Sequence, residues 1–269
     1  MKYRKGVFIL MYTKTNKGIK YLILKRKLHW KGWEFSKGGI ENKEPILKTV
    51  KRELKEETGI SDFLWIKKFN FSGKYKYEKE LSDREGIIGQ TFEALYAVRV
   101  SPEKMRIKID KKEHSSYQWV DYKTALNMLT WKNQKESLKI VKKWLDKMKF
   151  REIILKDNVI LMGRNEKENE ILVKEFLGKD NLIMHTAAKG SPFCVALKKP
   201  SLKDKKQMAV LCAAYSQDWR NNKQDVEVHV FTGKDVYKRK SMKTGTFGVK
   251  NFKIITAKKQ DIEKWRKNQ

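Results

Sequence analysis

The chain of 269 residues is poor in cysteine, histidine and acid, and each shortage removes a class of protein. Only Cys194 and Cys212 occur, in the apolar runs PFCVAL and AVLCAAY. Such sparse thiols exclude a disulfide scaffold and read as buried free cysteines of a reducing compartment. The four histidines, His29, His114, His185 and His229, show no zinc spacing with them. No apolar run approaches membrane-spanning length. The opening MKYRKGVFILMY has an apolar stretch too short for a secretory signal, and no small-residue cleavage site follows it. The expected location is the cytoplasm, without membrane association.

Acid is the largest deficit. Only 32 Asp and Glu stand against 62 Lys and Arg, a formal charge of +30. Self-repulsion of that size disfavours a compact chain unless a polyanion or salt screens it. Nucleic acid is the commonest such partner, because each neutralised phosphate releases counterions; the alternative is a solvated lysine-rich surface. Apolar material is ample: 40% of residues are hydrophobic, with 8 Trp, 12 Phe and 10 Tyr. At this length two domains with separate cores are expected.

Gly6 to Tyr12 and Lys20 to Leu24 are β-rich runs around Asn16-Lys17-Gly18, which predicts an opening hairpin. Pro45 to Thr58 predicts a helix with proline in its first turn and Gly59 just past its end. Thr91 to Val100 reads as a strand after a charged loop. Thr124 to Met148 reads as one long helix carrying Ala125, Leu129, Ile140, Trp144 and Leu145. The pattern restarts at Phe150. Ile153 to Leu161 reads as a strand, Gly163-Arg164-Asn165 as a break, Glu168 to Leu177 as a helix and Val226 to Phe231 as a strand, before a basic tail from Lys253. A boundary near 147–150, with no Gly/Ser/Pro linker, separates domains at 1–148 and 149–269.

The chemistry is concentrated in Gly38 to Ile60. Glu53, Glu56 and Glu57 stand at i, i+3 and i+4, so a helix gathers their carboxylates on one side. Like charges so close repel one another, and a hard divalent cation offsets that repulsion. Magnesium takes carboxylate oxygens, water and phosphates together, the combination that polyphosphate hydrolysis needs.

Gly38, Glu44, Arg52, Glu53, Leu54, Glu56, Glu57, Gly59 and Ile60 resemble the Nudix box at its defining positions. The resemblance implies an α/β/α sandwich and a hydrolase of diphosphate bonds that uses Mg2+, with Mn2+ as a substitute. It implies metal ligation by Glu53, Glu56 and Glu57, with the Gly38 carbonyl, and an Arg52–Glu44 pair that locks loop to helix. It implies Glu53 as general base, with Glu113 as the alternative. Trp33-Glu-Phe-Ser36-Lys37-Gly38, Gly89-Gln90 and Glu113-His114-Ser-Ser-Tyr117-Gln-Trp119 resemble the branch of diadenosine-tetraphosphate hydrolases and RNA pyrophosphohydrolases, in which a proline usually stands at the place of Ser36. Lys37, Arg26, Gln90 and Tyr117 are the substrate-binding candidates. Trp33, Phe35, Tyr117 and Trp119 are either a base-stacking platform or core.

Beyond residue 149, Gly163-Arg164-Asn165, Asn169, Asp180 to His185, Gly190-Ser191-Pro192, Ala213 to Ser216 and Lys243 to Gly248 are similar in order to the NFACT-R family. That resemblance implies an α+β RNA-binding domain. Its RNA-binding candidates are Arg164, Asn165, Asn169, His185, Ser191, Lys238 and Arg239. The expected partners are RNA (tRNA, rRNA or RNA 5′ ends), a nucleoside or dinucleoside polyphosphate substrate, and the ribosome. Three functions follow: a hydrolase of RNA 5′ ends, a hydrolase of free diadenosine tetraphosphate held near ribosomes or tRNA, and a non-catalytic RNA-associated protein.

Overall fold

The computed structural model describes residues 2–77, 86–155 and 158–268. The chain divides into two compact units, Met1–Trp144 and Leu145–Gln269.

In the first unit, β1 (Lys2–Thr15) and β2 (Gly18–Arg26) form the expected hairpin, with Thr15 opposite Gly18. The two strands then splay. Into the gap come β3 (Gly32–Glu34), which pairs with β2, and β4 (Ser36–Gly39), which pairs with β1. This insertion carries Glu34, Ser36 and Gly38 into the middle of the sheet. Helix α1 (Ile46–Thr58) buries Val50, Glu53, Leu54 and Glu57, one stripe at helical spacing. It ends on Gly59, whose φ of 72° is left-handed and whose N–H bonds the Lys55 carbonyl at 2.9 Å.

Strands β5 (Trp65–Phe69) and β6 (Gly73–Lys76) pair antiparallel with β7 (Ile87–Arg99), which runs parallel to β1. Most of the charged loop expected before β7 lies at 78–85, outside the described residues. Strand β8 (His114–Val120) completes the sheet on β2. Val7, Ile9, Met11, Leu22, Leu24, Val50, Leu54 and Val98 make one core cluster. The alternate β1 residues Phe8, Leu10 and Tyr12 are equally buried, so both sheet faces are covered.

The single helix expected from Thr124 to Met148 is two helices, α2 (Tyr122–Met128) and α3 (Lys132–Lys147). Leu129 turns out of the helix at φ −56°, ψ 131°. Thr130 then exchanges two bonds with Trp33: its N–H reaches the Trp33 carbonyl at 3.0 Å, and its Oγ1 accepts from the Trp33 N–H at 3.1 Å. A partner 97 residues upstream is invisible to local periodicity.

The second unit opens with a second correction. The strand expected over Ile153–Leu161 is an antiparallel pair, β9 (Arg151–Leu155) and β10 (Asn158–Met162), with Leu155 opposite Asn158. Helix α4 (Glu166–Phe176), β11 (Leu182–Thr186), β12 (Cys194–Ala196), α5 (Leu202–Ala214), α6 (Gln217–Asn222) and β13 (Val226–Thr232) follow. The short pair β14 (Val236–Tyr237) and β15 (Gly248–Val249) precedes β16 (Lys253–Ala257) and α7 (Lys259–Lys267). The six-stranded sheet has the order β16-β13-β11-β12-β10-β9 and is antiparallel throughout. Ile160, Met184, Val228 and Ala257 of the sheet pack with Met208 and Cys212 of α5 and Ile262 of α7 in one core. Cys194 and Cys212 are buried free thiols within it. Among the described residues no helix is long and apolar enough to cross a membrane.

Candidate active site

Burial divides the three helix glutamates. Glu53 and Glu57 lie on the buried stripe of α1, whereas the Glu56 side chain is 56% exposed. Arg52 gathers the group. It donates to both Glu44 oxygens at 3.1 and 2.9 Å, to the Gly39 carbonyl at 2.8 Å, to Glu53 at 2.8 Å and to Glu56 at 3.1 Å. Planar, forked donors suit such a junction, and Glu44 is held down at about 2 by its bonds to Arg52. Gly38 stands where a Cβ would meet the Glu53 carboxylate at about 2 Å, so only glycine lets Glu53 lie against β4.

The environment works against two of these charges. Burial pushes the Glu57 carboxyl up to about 8, although a hydrogen bond from Ser36 opposes it and the Glu53 charge adds to it. Burial also raises Glu53. Carboxylates destabilised in this way, with oxygen donors only, fit a divalent cation, which would supply the missing positive charge. The Ser36 hydroxyl that stands in place of the usual proline bonds Glu57 directly.

On the sheet side, Glu34 is fully buried between Lys37, Arg26 and His114. Arg26 also pairs with Glu113. A carboxylate oxygen of Glu57, one of Glu113 and a ring nitrogen of His114 lie within 4.8 Å of one another. Burial, with Arg26 and Lys37 beside it, holds His114 down to about 3, so its imidazole is neutral. Glu34 and His114 were not singled out on sequence, although His114 adjoins Glu113 and Glu34 adjoins Trp33.

A cavity of about 990 Å³ opens onto Glu113 and the carboxylates around Arg52. Gly38, Arg52, Glu53, Glu56, Glu113, Lys37, Arg26 and Gln90 line it. Glu57 does not line it: it sits beneath, bonded to Ser36. Tyr117, expected to bind substrate, packs instead against the core of β1, β2 and α1, and Phe35 and Trp119 are core or core-flanking too. The aromatic walls come from residues that periodicity did not mark. Trp30 and Trp131 meet edge to face at 5.1 Å, with Lys37 over Trp30 at 5.5 Å, while Phe71, Tyr75 and Tyr77 line the cavity from β6 and its flanks.

The raised carboxyls set a sign. Burial favours the protonated Glu57 carboxyl up to about pH 8, and a cation bound there would have to displace that proton. The cation-free fold therefore loses stability as pH rises from the ordinary carboxylate range towards 8. Millimolar Mg2+ is expected to raise the thermal midpoint more at pH 8 than at pH 6, measured by calorimetry at both. A shift that shrinks with rising pH would contradict it.

In the second unit several side chains expected to face RNA are engaged within the domain. Asn165 caps α4 through the Glu168 N–H at 2.9 Å. Asn169 is buried and accepts from the Phe193 N–H at 3.1 Å, and Ser191 Oγ accepts from the Thr186 N–H at 3.1 Å. Lys238 pairs with Glu170 at 2.7 Å and donates to the carbonyls of Lys243 and Thr246. Arg164 is fixed by Glu168 and the Lys149 carbonyl. His185 is held at 2.7 Å from the Thr186 carbonyl. Arg239 is exposed, over the Tyr237 ring at 5.3 Å. Asn165 thus serves as a helix cap, and Asn169 and Ser191 lock the 186–193 loop to the rest of the domain.

The mixed sheet, the Gly38-to-helix turn and the carboxylates around Arg52 are the parts that a family match can place, and that match indicates a hydrolase of diphosphate bonds. The NUDIX domain model matches residues 2–143, and the chain belongs to that family. The model for the NFACT protein RNA binding domain matches residues 148–251. The chain is similar to the RNA pyrophosphohydrolase of a Nitratiruptor species, 27% identical over 132 residues that cover 48% of this chain and 84% of that protein. It is also similar to the RNA pyrophosphohydrolase of Bartonella henselae, 27% identical over 140 residues, 46% of this chain and 79% of that one. A third likeness is to the archaeal Rqc2 homolog aRqcH of Methanocaldococcus jannaschii, 24% identical over 89 residues, 32% of this chain and 13% of that protein.

Proposed function

We propose that this chain is a magnesium-dependent pyrophosphohydrolase of RNA 5′ ends, removing pyrophosphate or the nucleotide of a dinucleoside-type cap, and that 149–269 is its RNA-binding domain. The observation that carries the reading is the pair of buried, charge-destabilised carboxylates, Glu53 and Glu57, under a cationic, aromatic-walled cavity of about 990 Å³. That volume is near the upper end for small-ligand pockets, roughly 300–1,000 Å³. When bound, a divalent cation, Mg2+ or Mn2+ in its place, neutralises phosphate charge and acidifies the attacking water.

The chain supplies the rest. Glu53, Glu56 and Glu57 would hold the cation, with the Gly38 carbonyl. Arg52 fixes Glu53 and Glu56 to the Glu44 loop. Glu53 takes the water proton, because burial brings its carboxyl closer to working pH than an ordinary glutamate. Glu113 is engaged by Arg26 and is the second choice. Arg26 and Lys37 meet phosphate oxygens by trading their carboxylate partners for substrate. Trp30 and Trp131 stack the terminal base.

A second reading has its own observation. Aromatic residues enter the cavity both from the β2–β3 and α2–α3 connections and from β6, room for a base on each side of the scissile linkage. This favours free dinucleoside polyphosphates. The intact chain with Mg2+ is expected to release pyrophosphate from 5′-triphosphorylated RNA with a kcat/KM above that for free diadenosine tetraphosphate. Hydrolysis of the dinucleotide alone would make the second reading correct.

A further inference from the structure

One face of the second unit's sheet is covered by α5 and α7. Strand alternation sends the remaining side chains of β11, β13 and β16 to the other face. There His185 stands directly opposite His229, and His229 opposite Ile254. Four ring contacts or pairings link into one row. Phe247 meets Phe193 at 5.7 Å, Phe193 meets His185 at 4.4 Å, His185 pairs across strands with His229, and His229 stacks on Phe252 at 4.0 Å and 21°. At the edge of the sheet the row is open: Phe252 is 48% and Ile254 54% exposed. Large apolar side chains left in water at one place mark a binding surface.

The surroundings say what binds. No Asp or Glu occurs between Asp235 and Asp261, and Arg239, Lys240, Lys243, Lys250 and Lys253 of that stretch are exposed. Rings flanked by cations that outnumber the acids beside them, of which Asp235 faces Lys250, suit a polyanion whose flat groups are free to stack. A duplex hides its bases, whereas an unpaired strand presents them.

We propose that the row from Phe247 to Phe252 across β11, β13 and β16 is a stacking platform for unpaired RNA bases, with the exposed cations of 239–253 following the phosphates. This rests on the RNA-binding reading of 149–269 and goes beyond it by naming the surface and the strand state. His185, fixed by the Thr186 carbonyl, and the buried Phe193 form the rigid part; His229 and Phe252 meet the bases.

The test uses the full-length protein and a fluorescent 12-nucleotide oligo(U), with a hairpin duplex for comparison, in anisotropy titrations over a salt series. Base stacking is worth about 1–3 kcal/mol per base, so Phe252→Ala is expected to weaken oligo(U) binding by roughly 5- to 150-fold with an unchanged salt slope. Lys250→Ala with Lys253→Ala should lower that slope by about one to two. Phe252→Trp should restore affinity, which a merely structural role for an exposed ring would not require. Unaltered oligo(U) affinity in Phe252→Ala would overturn the platform and leave RNA binding itself standing. Failure of the unmodified protein to bind any RNA at low salt would overturn both. A dimer that Phe252→Ala converts to a monomer at unchanged RNA affinity would assign the face to a second copy of the chain.

Discussion

Glu57→Gln is expected to lower kcat by about a thousandfold, because a cation's charge stabilisation is worth several kcal/mol and each 1.36 kcal/mol is a factor of ten. The substitution keeps side-chain volume and removes the charge that a divalent cation would meet. Folding should not suffer. Without cation the Glu57 carboxyl already favours its neutral form up to about pH 8, and Gln can still accept the Ser36 hydroxyl. The cation-free variant should therefore melt at or above the parent temperature at pH 8. Glu56→Gln, at an exposed side chain bonded to Arg52, should damage turnover as severely with even less effect on folding. The measurement is turnover across a Mg2+ titration beside cation-free melting curves. Near-normal magnesium-dependent turnover in both variants would refute the assignment of these glutamates to the cation.

The carboxylate side of the site was legible because its parts are local. Glu53, Glu56 and Glu57 lie within two turns of one helix, Gly59 announces where that helix ends, and Arg52 reaches Glu44 only 8 residues away. The opening hairpin was legible for the same reason, since its register follows from a two-residue turn. What escaped was set by contacts distant in sequence. Glu34 on β3 and His114 on β8 meet only because both strands flank β2. Trp30 and Trp131 come together because Trp33 pulls Thr130 out of the helical run and so starts α3 anew. Tyr117 was misplaced for the converse reason: alternation gives the face of a strand but not which face the cavity occupies. In the second unit the Asn165, Asn169 and Ser191 positions were recognisable, yet the same hydrogen-bonding groups serve a helix cap or turn as well as a ligand, and only their partners tell the two apart.

The second large effect concerns RNA presentation. The cavity of about 990 Å³ is of small-ligand size, whereas the second half of the chain carries the basic clusters Lys198-Lys199, Lys203 to Lys206 and Lys238 to Lys243. An RNA held there keeps its 5′ end at a local concentration on the order of millimolar around the hydrolase, provided both are engaged at once. A free dinucleotide gains nothing from that tether. Cutting the chain after Lys149 leaves the first unit with its own core and all of its carboxylates. The shortened protein should keep its kcat on both substrates. Steady-state kinetics of the intact chain and of residues 1–149, on 5′-triphosphorylated RNA and on diadenosine tetraphosphate at one moderate salt concentration, test the account most directly. The predicted result is a KM for RNA raised by about a hundredfold, the lower end of avidity gains, with that for the dinucleotide unchanged. Equal effects on the two substrates would contradict it and leave the clearing of free dinucleotides as the function.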